Sequence, residues 1–162
     1  MNGMTDGIRI VVADDHPIMR SGVVRVLKRQ PKFVVVGEGG SAEDSIRLAE
    51  ELQPDIILLD VGMPGGGIKA AEAISQRCPA VKIVFLTVFE DEATIAAAKR
   101  IGVRGYLLKG VGGSEFVETL TRIVEQDAVV FPSLAINIFS RWSVRRACGC
   151  QSADLVDEQS AR

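Results

Sequence analysis

Five side chains with reactive or ion-binding chemistry occupy one kind of position in this sequence, the end of a short apolar run. Asp14 and Asp15 follow RIVVA (9–13), Asp60 ends DIILLD (55–60), Thr87 ends VKIVFLT (81–87) and Lys109 ends GYLLK (105–109). Capping a strand end accounts for one such residue, but core stability does not require four runs to finish this way. If the ends converge, three carboxylates repel one another and stay ionised at neutral pH only beside positive charge. Lys109 supplies some of that charge. Hard oxygen donors in a small cleft point to Mg²⁺, which takes few protein ligands and keeps several waters.

Convergence requires particular elements. The four runs above, with FVVVGE (33–38), read as five strands. Their nearly unbroken Val, Ile and Leu content suits strands buried on both faces, as in a parallel sheet. Helical spacing fills 17–29, 42–52, 67–77, 91–101 and 114–126. Ser41 with Asp44 fits a capping box for the second helix, and Ser114 is the expected N-cap of the fifth. Five βα units in succession predict an α/β fold: a doubly wound (βα)5 flavodoxin-like three-layer sandwich with a five-stranded parallel sheet and right-handed crossovers. In such sheets ligands bind outside the carboxyl ends of the strands, where the five polar residues gather.

Composition narrows the function. The 162 residues are 47% hydrophobic and 25% charged, with a net charge of −2, a poor match for nucleic acid or an anionic membrane. Three cysteines, Cys78, Cys148 and Cys150, fit a reducing compartment better than a disulfide framework. The first residues lack the pattern of a secretory signal and no apolar run is long enough to span a bilayer, so a cytoplasmic protein is expected.

Four motifs, VVADDHPIMRSG (11–22), PDIILLDVGMPG (54–65), VFLTVFEDE (84–92) and GVRGYLLKG (102–110), occur in an order that resembles the receiver domain of two-component response regulators. The resemblance covers residues 8–127 and is nearest to the NarL/FixJ-type branch, whose receivers precede a helix-turn-helix domain. It implies that Asp60 is the phosphoacceptor, that Asp14, Asp15, Asp60 and the main-chain carbonyl of Gly62 hold Mg²⁺, and that Lys109 contacts the phosphoryl group. It also implies that Thr87 is the switch hydroxyl and Tyr106 the aromatic ring that follows it. The implied donor is a sensor histidine kinase, the implied output is transcription regulation, and the switching face is helix 4–strand 5–helix 5. The protein would then be a phosphoacceptor switch and not an enzyme acting on separate substrates.

Residues 1–127 are therefore expected to form the receiver and 128–162 a linker and tail, helical in part and then disordered, without the branch's DNA-binding domain. In a helix over 133–146, Leu134, Ile138 and Trp142 would form one stripe, a docking or dimerisation surface. Homodimerisation through that tail or the switching face is an expected arrangement; DNA binding by this chain is not, because Arg141, Arg145 and Arg146 offer at most about three phosphate contacts. Other readings remain open. A stand-alone receiver would act by protein contacts or as a phosphate shuttle. A haloacid-dehalogenase-type phosphatase wants a second Asp where Gly62 stands, and a flavodoxin wants a phosphate-cradling loop where the sequence has DDHP. His16 is read as the N-terminal residue of helix 1, with metal or phosphohistidine chemistry as its alternative. Gly65–Gly66–Gly67 suggest a loose entry to the third helix, and Gly110 stands where many receivers have Pro.

Overall fold

The computed structural model describes residues 7–88 and 90–131. Ten elements alternate: β1 (Ile8–Ala13), α1 (Pro17–Lys28), β2 (Phe33–Gly39), α2 (Ala42–Leu52), β3 (Ile56–Asp60), α3 (Gly67–Arg77), β4 (Lys82–Thr87), α4 (Glu92–Ile101), β5 (Gly105–Leu108) and α5 (Gly113–Glu125). The strands are all parallel, in the order β2-β1-β3-β4-β5, so the expected α/β architecture is the observed one. The order reverses beside β1 and opens a crevice outside the carboxyl ends of β1 and β3.

Alternation along each strand distributes the core between two helical layers. Ile10, Val12, Ile56, Leu58, Val84, Leu86 and Leu107 pack with Val24 and Leu27 of α1 and Phe116, Leu120 and Ile123 of α5. The intervening residues Val11, Ile57, Leu59, Ile83, Phe85 and Tyr106 are equally buried beneath the opposite layer of α2, α3 and α4. Both faces are covered, which explains why the strands read as continuous apolar runs.

The helix ends follow local chemistry. Ser41 Oγ accepts the Asp44 N–H at 3.1 Å, while Asp44 Oδ2 accepts the N–H of Gly40 (3.2 Å) in place of the Ser41 N–H of a strict capping box. Asp91 caps α4, taking the Thr94 N–H at 2.8 Å. Ser114 is not the cap of α5: the helix starts one residue earlier, with Gly112 at its N-cap and no side-chain cap. The loop from Asp60 to α3 also differs from expectation. Gly65 and Gly66 adopt φ of 84° and 88°, and the N–H of Gly67 donates to Val61 O at 3.1 Å. A Cβ on Gly67 would meet the main chain of Asp60 and lie 2.7 Å from Val61 Cα. These glycines make a tight loop, not a loose one, because helix and strand end approach too closely for a side chain.

After α5 the chain turns back, and Val130 pairs in parallel with Gly105 on the free edge of β5. The expected 133–146 helix, its stripe, Cys148, Cys150 and the three arginines lie outside the described residues.

Gly67→Ala is expected to destabilise the fold by about 1–3 kcal/mol, since the obstructing atoms are main chain. Gly110→Ala, with nothing within 4 Å of its added methyl, is expected to shift stability little. Urea unfolding of both variants checks this; equal midpoints would show that the loop has room to relax.

Candidate functional site

The strand ends bring the polar residues together as the sequence predicts. Asp14 and Asp60 are buried, with 1% and 4% of their surfaces exposed. Lys109 Nζ lies between them, 2.7 Å from Asp14 Oδ2 and 3.4 Å from Asp60 Oδ1. Lys109 follows the last residue of β5, and its N–H donates to Thr87 O at 2.9 Å, so the β4–β5 ladder fixes its backbone. Gly62 donates its N–H to Asp60 Oδ1 at 3.2 Å. Thr87, buried at the end of β4, completes the group at that edge.

The two central carboxyls are tuned in opposite directions. Burial opposes ionisation of Asp14, but hydrogen bonding and charge from Lys109, with the N–H of His16, outweigh it and hold the carboxyl below its usual range. Asp60 is pushed up: burial dominates, the Asp15 carboxyl and Asp14 charge add to it, and the Gly62 N–H and Lys109 only partly compensate.

Two residues close the site in ways the sequence left open or hid. His16 is the N-cap of α1, one residue before the helix it was expected to open, and its imidazole, 67% exposed, leans over the carboxylates. Nδ1 lies 3.3 Å from Asp14 Oδ1, 3.1 Å from Asp15 Oδ1 and 3.9 Å from Asp60 Oδ2. Arg20, one turn into α1, donates to Asp14 O at 2.8 Å and pairs with Glu38 at 3.4 Å, which holds the carboxyl end of β1 in place. Its spacing from His16 was the available signal, but an arginine on an amphipathic helix reads as solvent-facing.

The donor set suits a hard cation. One potential ligand atom from each of Asp14, Asp15, His16 and Asp60 lies within 4.8 Å of all the others. Asp15 Oδ1 is buried with His16 Nδ1 beside it at 3.1 Å, and one lysine leaves the three carboxylates with excess negative charge.

Tyr106 lies beside this pocket, on the α4 face. Its ring is fully buried, edge-on to Phe85 with centroids 6.3 Å apart at 71°. Register places Tyr106 opposite Phe85 and Leu108 opposite Thr87, so Tyr106 and Thr87 lie on the same face of adjacent strands, two residues apart.

A doubly wound sheet whose strand ends hold a lysine-bridged carboxylate cluster fits the architecture of a receiver. The family model of the response regulator receiver domain matches residues 10–121, and the chain belongs to that family. It is 34% identical over 136 residues to the transcriptional regulatory protein DegU of Brevibacillus brevis, covering 83% of this chain and 58% of the relative. It is 35% identical over 129 residues to the response regulator GacA of Pseudomonas aeruginosa, covering 79% and 60% respectively. The chain thus spans about three-fifths of the length of these relatives. Among solved structures, a LuxR-family two-component response regulator from Aurantimonas sp. SI85-9A1 superposes with a TM-score of 0.78 at 33% identity, covering 85% of this chain and 99% of that one. The signal receiver domain of the putative response regulator NarL from Mycobacterium tuberculosis gives 0.70 at 32% identity, covering 74% and 97%. Among the described residues no helix is long and apolar enough to cross a membrane.

Tyr106 is the only tyrosine of the chain, so phenolate absorbance reports it directly. Burial first, then the Asp91 and Glu90 carboxylates against an opposing Asp91 main-chain hydrogen bond, push its pKa from 10.0 up to about 12. The folded state holds this proton more tightly than the unfolded state, so the associated stability is complete below pH 10 and is lost as pH rises towards 12. An ultraviolet titration should place ionisation near 12; a midpoint near 10 would put the ring in solvent.

Proposed function

We propose that Asp60 accepts a phosphoryl group from the phosphohistidine of a sensor histidine kinase, and that the modified domain regulates transcription as part of a longer regulator. The observation that carries this reading is Asp60 itself. It is a carboxylate at a strand end, raised by burial and then by its acidic neighbours, and reached by Lys109 at 3.4 Å. In the transfer an Asp60 oxygen attacks phosphorus, the new O–P bond forms as the donor's N–P bond breaks, and the imidazole nitrogen leaves with the electron pair. Charge on the transferred group spreads over its equatorial oxygens, so catalysis is mainly positioning and neutralisation. Lys109 supplies a fixed positive charge for one oxygen and Thr87 a hydroxyl donor for another.

Asp14, Asp15, Asp60 and the main-chain carbonyl of Gly62 would hold the divalent cation. When bound, Mg²⁺ would shield the anionic donor from the carboxylates and neutralise phosphoryl oxygens. Asp14, Asp15 and Asp60 can bring one oxygen each within 4.8 Å of the others, which supports their holding one ion together. Once Asp60 is phosphorylated, Thr87 turns towards the phosphoryl group and Tyr106 fills the space behind it, favouring one state of the α4–β5–α5 face. Homodimerisation through that face or the tail and a cytoplasmic setting, without DNA binding by these 162 residues, complete the proposal.

Two experiments test it. Acetyl phosphate is expected to add one phosphoryl group to the wild-type chain only when Mg²⁺ is present, and none to Asp60→Asn. Intact-mass spectra showing full labelling of that variant, or of wild type in excess chelator, would overturn the assignment. Thr87→Ala is expected to accept phosphate but lose most of the hydrogen-exchange change across 91–109. Equal changes in both proteins would remove Thr87 from the switch.

A further inference from the structure

The turn after α5 is specified by charge as well as backbone. Asp127 takes a left-handed φ of 50°, and its carboxylate pairs with Lys82 Nζ at 3.1 Å and Arg104 Nη1 at 3.4 Å. These pairs aim residues 128–131 at the open edge of β5. There the Val130 N–H donates to Arg104 O at 2.8 Å, and Val130 O accepts the Tyr106 N–H at 2.9 Å. The next side chain, Phe131, stacks on the Tyr106 ring with centroids 6.3 Å apart and planes 25° apart. Lys99 of α4 stands over the other ring, with Nζ 5.7 Å from the Phe131 centroid. One residue after another, the departing chain therefore binds the backbone of Tyr106 and then its side chain.

We propose that Val130 and Phe131 are positioning residues for Tyr106, forming an edge clasp that couples the segment after α5 to the phosphorylation pocket. This inference rests on the Asp60–Thr87–Tyr106 reading given above. The alternative role for such a segment is only to cover an open sheet edge. The stack makes a different demand, because the Phe131 ring keeps its aromatic partner only while Tyr106 is turned inward. Inward Tyr106 and a docked edge segment thus stabilise each other. Whatever favours one must favour the other by the same factor, since coupling between binding equilibria is reciprocal. A phosphoryl group on Asp60 would tighten the edge, and pulling the following chain off the edge would weaken the phosphorylated state. The pocket gains a mechanical connection to whatever the chain continues into.

The test uses the whole 162-residue chain with Mg²⁺ and beryllofluoride, a phosphoryl mimic, comparing wild type with Phe131→Ala, Phe131→Trp and Val130→Pro. Exchange of the Tyr106 amide should accelerate roughly tenfold or more in the alanine and proline variants, while the central Ile57 amide keeps its protection. Beryllofluoride affinity should fall about threefold to tenfold in those two and stay near wild type in Phe131→Trp, which retains an aromatic stack. Phe131→Leu, which keeps apolar volume but cannot stack, carries the same expectation if the alanine variant does not fold. Unchanged beryllofluoride affinity despite faster Tyr106 exchange would reduce the segment to an edge cover and overturn the coupling. If wild type itself fails to respond to beryllofluoride, the phosphoacceptor reading falls first and the clasp with it.

Discussion

Carboxylates crowded at the ends of buried strands are the constraint on which this structure turns. Two like charges about 4 Å apart repel by roughly 4 kcal/mol at an effective dielectric constant near 20, and here three are brought together. Lys109 does not divide its charge evenly, lying 2.7 Å from Asp14 and 3.4 Å from Asp60. The nearer carboxyl is held below its usual range, and the farther one is pushed above it. Ionisation is thus favoured at Asp14, beside the lysine, and opposed at Asp60, where burial outweighs the same charge. Only a sheet with its strand ends on one side supplies such a cluster, which is why parallel strands and their helical crossovers are needed.

The same strands link the pocket to the α4 side of the sheet. Side chains alternate between faces, so Thr87 at the end of β4 shares the α4 face with Phe85, and register adds Tyr106 from β5. A displacement of Thr87 therefore opens or closes space on the face where the large ring packs. Leu86 and Leu107, one residue away on each strand, face α1 and α5 and belong to a separate part of the core. Parity thus connects Thr87 to the α4 side of the sheet and separates it from the α1–α5 layer.

Much of this was legible because parallel strands leave a strong imprint. Burial on both faces demands continuous apolar runs, and the polar residue closing each run marks its carboxyl end. The positions of Asp14, Asp60, Thr87 and Lys109 follow from that pattern alone. Local competition was harder to read. Ser114 has the side chain of a cap, but the preceding Gly112–Gly113 lets α5 begin earlier. Gly65–Gly67 looked permissive because composition reports the freedom of an isolated chain, whereas the folded loop uses that freedom to bring backbone against backbone. His16 and Arg20 serve the pocket through side-chain direction, which spacing does not encode. The edge segment 128–131 left the least signal, since one bridge and one aromatic stack are too short for any periodicity.

The residue types in the pocket follow from reach as much as charge. A lysine ammonium is a compact charge with three donors, so from the end of β5 it can address two carboxylates on two other strands. Arginine's planar fork favours two parallel bonds to a single carboxylate; it would satisfy one partner, leave the other uncompensated and fill the cleft. Aspartate has a single methylene, so its oxygens stay close to the strand end that carries them. Glutamate would add a rotatable bond whose ordering costs further entropy, and it would let the carboxylates spread apart. Spreading would relieve the repulsion that adds to burial in raising Asp60. The short side chains preserve that strain, and the buried lysine, with only 5% of its side chain exposed, keeps the strained cluster folded.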